Sequence, residues 1–96
     1  MISVTIRIKS AISDLTHGVK TVSVVKLLKS INGDRVTGLV YVDKIGERHI
    51  IKISMNHILT IDDIDYNMGN IWENHKFEEI FRTMSALENL NGNDNY

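Results

Sequence analysis

Cysteine and proline are absent from this chain, alanine occurs only as Ala11 and Ala86, and aromatic side chains number six in 96 residues. Without cysteine there is no disulfide, no thiol nucleophile and no thiolate zinc site. Alanine, the best helix former, gives way to many β-branched residues, which tilts the chain toward strands. No run of apolar residues is long enough for a membrane span, and Arg7 and Lys9 interrupt the first apolar pattern, so no signal peptide is read there. A cytoplasmic protein is the expectation. Abundant Ile and Asn match the usage of AT-rich genes, phage genes among them, so the host cytoplasm is its place if it is phage-encoded.

What is present divides by charge. Residues 1–60 hold nine Lys/Arg against four Asp/Glu, a net of +5; residues 61–96 hold two against eight, a net of −6. The overall −1 hides this asymmetry, which points either to halves that neutralise each other or to a charged partner. At this length a single domain over 1–96 is expected, with a basic β-rich part at 2–61, an acidic helix at 70–91 and a frayed tail at 92–96.

Residues 2–9, ISVTIRIK, alternate with a period of two, placing Ile2, Val4, Ile6 and Ile8 on one face of a strand. Residues 10–18 read as a polar loop or short helical turn. The stretch 19–31, VKTVSVVKLLKSI, has helical spacing at Val24, Leu27, Leu28 and Ile31, but its stiff β-branched residues favour a strand bent near Lys26. Asn32-Gly33 supports a hairpin turn. Strands follow at 35–43 and 48–55, the second with Ile51, Ile53 and Met55 inward, then a bend at Asn56-His57 and a short strand at 58–61. Gly38 lies inside its strand, where glycine marks a bulge or sharp bend. Asp62 to Gly69 reads as an acidic loop. The last element is an amphipathic helix, capped by Asn70 with Glu73 reaching back, and striped by Phe77, Ile80, Phe81, Met84 and Leu87 up to Asn91-Gly92. The predicted class is α+β, mainly β: a small antiparallel bent-strand barrel or meander with one C-terminal amphipathic helix.

Gly33 and Gly38 stand five apart in NGDRVTG, Asp43 follows near the strand's end, and MNHILTI (55–61) is a short apolar strand after a His-containing turn. Over residues 21–62 this pattern resembles the Sm-like small β-barrels of the bacterial Sm-like RNA chaperone type. The resemblance implies a bent-strand barrel and RNA as a partner.

Candidate chemistry is sparse. Histidines 17, 49, 57 and 75 lack metal-ligand spacing, and no phosphate loop, dinucleotide fingerprint or catalytic triad is readable around Ser10, Ser13 or His17. His57 with Asp62, Asp63 and Asp65 could form an acid–base or hard-metal site, though an acidic loop is the simpler reading. No enzyme, cofactor or metal is expected. A non-catalytic regulatory or inhibitory protein that docks on another protein is the leading expectation, with Tyr66, Met68, Trp72, Glu78 and Glu79 as its surface. The alternative is RNA binding by a basic sheet face of Lys26, Lys29, Arg35, Lys44, Arg48 and Lys52, with His57. The edge of residues 2–9 could also add a strand from a second copy, giving a homo-oligomer.

Overall fold

The alternating stretches become six strands, and they all join one antiparallel sheet. In the computed structural model, which describes residues 1–9 and 19–93 (the side chains of 91–93 excepted), these are β1 (Ile2–Ile8), β2 (Val19–Lys29), β3 (Val36–Val42), β4 (Arg48–Lys52), β5 (His57–Ile61) and β6 (Ile64–Asn67), followed by one helix, α1 (Ile71–Asn93). The strand order is β4-β3-β2-β1-β5-β6, with every neighbouring pair antiparallel. The protein is therefore α+β and mainly β, and its sheet is an open meander rather than a closed barrel. The loop expected at 10–18, with His17, and the tail beyond Asn93 lie outside the described residues.

Residues 19–29 are strand, as their β-branched side chains require. The bend expected near Lys26 coincides with a register shift: Val24 pairs with Tyr41 but Lys26 with Val40, leaving Val25 as the extra residue of a bulge. A second shift follows at once. Leu28 pairs with Gly38 and Lys29 with Val36, so Thr37 is extra on β3. Gly38 sits beside that irregularity, and a Cβ there would meet Leu28 Cδ1 at 3.2 Å and the Ile51 carbonyl oxygen at 3.3 Å. Its role is to let Leu28 lie across the strand next to the bulge.

Two irregularities fall in the β2–β3 pairing, and α1 packs against one face of the open sheet. Side-chain bonds tie the start of β3 to the β6–α1 link: Val36 N–H donates to Asn74 Oδ1 (2.9 Å), Arg35 donates to the Met68 carbonyl (2.5 Å), and His75 Nε2 lies 2.7 Å from the Asp34 carbonyl. One face of the sheet is thereby sealed by the first half of α1. Its core gathers Ile2, Val4, Ile6, Val22, Val24, Val36, Leu39, Ile53, Leu59 and Ile61 around Phe77 and Phe81. Tyr66 meets Phe77 edge-on with centroids 5.7 Å apart, a geometry that suits the ring quadrupoles.

Several local expectations are corrected. Ile64–Asn67, within the expected acidic loop, is an edge strand. Asp62 and Asp63 both take positive φ (54° and 65°), and Ile61 pairs with Ile64, so the two aspartates make a two-residue hairpin turn. Asn70 caps α1 as expected, accepting from the N–H groups of Trp72 (3.0 Å) and Glu73 (3.3 Å). Glu73 does not reach back to Asn70; it accepts from Asn67 N–H, because Asn70 N–H already donates to the Asn67 carbonyl. The helix continues through Asn91-Gly92 to Asn93, so the stop expected there and a tail starting at 92 do not hold. Met55 and Leu87 are exposed: Met55 lies past the end of β4, and Leu87 lies past the last core contacts of the helix stripe. β1 is central, between β2 and β5, so it offers no edge to a second copy.

Candidate functional site

The sheet register sorts every strand residue onto one of two faces, because directly paired residues share a side. Opposite the helix, three rows cross β2, β3 and β4: Ser23–Val42–Arg48, Lys26–Val40–Ile50, and Leu28–Gly38–Lys52. No described element covers this open face. Its rows hold three cations, Lys26, Arg48 and Lys52, all exposed, and no acidic residue. Among them Ile50 is 68 % exposed, while its neighbour Val40 is only 8 % exposed on a face that carries no helix. Lys26 and Ile50 flank Val40 in its row, and Gly38 and Val42 precede and follow it along the face. Long cationic side chains characteristically lay their methylene stems over such apolar ground while their charges stay in water.

The other half of the same face is closed on itself. Thr21, Thr5, Thr60 and Asp65 form one row across β2, β1, β5 and β6. Thr5 and Thr21 share a 2.9 Å hydrogen bond, Thr60 donates to Asp65 at 2.6 Å, and Arg7 donates to the other oxygen of Asp65 at 2.5 Å. These bonds hold the Asp65 carboxyl below its ordinary range, the Thr60 hydroxyl contributing most and Arg7 next. A charged pair already met by its neighbours has little to offer a partner.

Of the seven residues expected to bind nucleic acid, the fold therefore collects three on one surface and scatters the rest. Lys44 lies in the turn after β3, at the end of the patch. Lys29 pairs with Val36 on the helix side and donates to Glu78 at 2.6 Å; Arg35 is committed to the Met68 carbonyl. His57 starts β5 beside Ile8, and its Nδ1 accepts from Ser54 N–H at 2.9 Å. The aspartates of the β5–β6 turn follow the opposite end of β5, about 13 Å along the strand, which separates His57 from Asp62 and Asp63 and removes the acid–base site imagined for them.

The expected protein-docking surface fares differently. Tyr66 (6 % exposed) and Met68 (1 %) are core residues, because period-two alternation in β6 points both at Phe77 and its neighbours; they are not a surface. Burial, with the charge of Asp62 second, pushes the Tyr66 phenol above its usual range. Glu78 is half-buried against Lys29, with Arg82 one turn on at 4.0 Å, while Glu79 is exposed. Only Trp72, 74 % exposed in the first turn of α1, remains as an apolar anchor of that set. Ile50 was not singled out from sequence. Its signal was there: with Ile51 and Ile53 inward, alternation puts Ile50 out.

One constellation arises only in three dimensions. Asp43, Glu47 and His49 bring ligand atoms within 4.8 Å of one another. Asp43 Oδ2 lies 2.8 Å from His49 Nε2, and Asp43 Oδ1 accepts from the N–H groups of Ile45 and Glu47. The bond to His49, followed by those backbone donors, lowers the Asp43 carboxyl below its ordinary range. His49 also stacks on Tyr41 with centroids 5.3 Å apart. These contacts close the β3–β4 hairpin and fix the direction of β4.

No family model matches this chain, and neither a curated protein nor a solved structure does. Among the described residues, no helix is long and apolar enough to cross a membrane.

Proposed function

We propose that this protein acts by docking on another protein, as a regulator or inhibitor with no reaction of its own, and that it docks through the open face of β2, β3 and β4. The single observation that carries the reading is Ile50, which stands exposed among Lys26, Arg48 and Lys52 on an uncovered sheet face. An apolar centre inside a charged rim is the anatomy of a protein interface. The partner is accordingly acidic around an apolar spot. Docking of this face on its own copy would set cations against cations, so the face suits a different chain.

The test uses the full chain as bait in a lysate of the producing cell. A protein retained at stoichiometric yield by the native chain and by Trp72→Ala, but lost with Ile50→Asp, supports the reading. Equal capture by Ile50→Asp overturns it.

The clustered cations also favour a second reading, RNA held by its phosphates, in keeping with the resemblance to Sm-like barrels. Against it, among the described residues the open face has no aromatic side chain for bases to stack on, since Tyr41 pairs with Val24 on the helix side. RNA in the eluate, a steep loss of binding with salt and indifference to Ile50→Asp would move the assignment to this reading.

A further inference from the structure

β4 is an edge strand, and its hydrogen-bonding parity can be worked out. Asp43 N–H donates to the Glu47 carbonyl (3.0 Å) and Ile53 N–H to the Thr37 carbonyl (2.9 Å). Both belong to the register that pairs Gly38 with Lys52 and Val42 with Arg48. In an antiparallel ladder, residues alternate between bonding one neighbour and facing the other way. Residues 47, 49, 51 and 53 thus bond toward β3, and Arg48, Ile50 and Lys52 turn their N–H and C=O groups outward. Among the described residues nothing pairs with that edge. The same three residues place their side chains on the open face, so free backbone groups and the basic, apolar-centred patch coincide.

From this coincidence we infer that β4 receives an extended peptide as a seventh strand, and that the peptide carries the pattern acidic–x–apolar–x–acidic. Residues directly opposite each other across a new ladder share a face. An incoming strand centred on Ile50 therefore sets its apolar residue against Ile50 and its two carboxylates against Arg48 and Lys52. The pattern is symmetric about its centre, so an antiparallel strand meets the same cations from either end of the motif. A second copy is excluded as occupant by the same rule: self-pairing of β4 about Ile50 puts Arg48 opposite Lys52 twice, a like-charge arrangement of the kind that guards edges. Strand addition supplies main-chain bonds for affinity and alternate side chains for selectivity. The inference rests on the docking reading above and specifies its occupant.

The test is an NMR titration of the full chain with an acetylated, amidated peptide of sequence TETVTET. Binding is expected to shift the amides of Arg48, Ile50 and Lys52 and to slow their hydrogen exchange. Replacing both glutamates with lysine is expected to weaken binding at least about tenfold, as two favourable charge pairs become repulsive. Methylating the valine nitrogen, which must donate to β4, is expected to abolish the shifts, whereas methylating the nitrogen of an adjacent threonine, which faces away, leaves them. No shift at these amides at millimolar peptide, or equal binding by the lysine peptide, overturns the inference. Equal binding by both methylated peptides overturns strand addition while leaving docking on the open face intact. Failure of that docking is read separately, in equal capture of the partner by Ile50→Asp.

Discussion

The two halves of the open sheet face are built from the same strand chemistry yet present opposite surfaces. Across β1, β5 and β6, Arg7, Asp65, Thr60 and the Thr5–Thr21 pair satisfy one another. Across β2, β3 and β4, the rows contain Lys26, Arg48 and Lys52 with no acid among them, around an exposed Ile50. The difference teaches where a partner fits. Charge that is neutralised within the fold stabilises it slightly, whereas charge left unanswered in its own row is available to another molecule. The helix-covered face supplies the contrast for both halves, because its centre is apolar and buried.

The sharpest way to break this comparison is to attack the covered face. Phe77→Ala should cost about 3–5 kcal/mol of stability, seen as a lower urea midpoint, because it empties the centre of the core. Asn74 comes next. It is 1 % exposed and accepts from Val36 N–H, so Asn74→Ala leaves a buried donor unmet and should cost about 1–3 kcal/mol in the same measurement. Gly38→Ala should cost roughly 1–2 kcal/mol by crowding Leu28 and the Ile51 carbonyl. Leu28→Ala in the same chain should show a favourable coupling in a double-mutant cycle, since it removes the nearest side-chain clash but not the carbonyl.

Acid should produce a smaller effect on the self-satisfied half and on the β3–β4 hairpin. Asp65 and Asp43 both have carboxyls lowered by their bonds, to Thr60 and Arg7 in one case and chiefly to His49 in the other. The folded state thus prefers the ionised form. The resulting stability is full above about pH 4, the ordinary aspartate value, and is lost as pH falls through the lower folded values. Urea midpoints at pH 5 and pH 3 should differ less in Asp65→Asn and Asp43→Asn than in the native chain. The smallest change expected in stability is that of Ile50→Asp, within about 0.5 kcal/mol by thermal melting, because an exposed side chain contributes little to folding. A large loss there would show that the patch is structural, and the comparison between the two halves would fail.

Much of this architecture was legible locally. The alternation in residues 2–8 and 36–42, the bend near Lys26 and the Asn70 cap each depend on neighbours a few residues away. The strand from Ile64 to Asn67 was hidden because an Asp-Asp turn looks like any acidic loop until both residues take positive φ. Tyr66 and Met68 then changed from candidate surface to core with it. The candidate site was legible in part: Lys26, Arg48 and Lys52 were named, but so were Lys29 and Arg35, whose charges the fold turns to Glu78 and the Met68 carbonyl.

By itself the sequence determined the class of this protein: strands from period-two apolar alternation, a bend near Lys26 in a strand of β-branched residues, and one terminal helix from its 3.6-residue stripe. Those are short-range properties, set by backbone sterics and by which side of an element is apolar. Only the tertiary structure decided that the sheet stays open, that β1 is central and β4 an edge, and which lysines share a face with Ile50. Those outcomes depend on pairing between strands distant in the chain, and a one-residue shift in register at Val25 or Thr37 would have turned a different set of side chains outward.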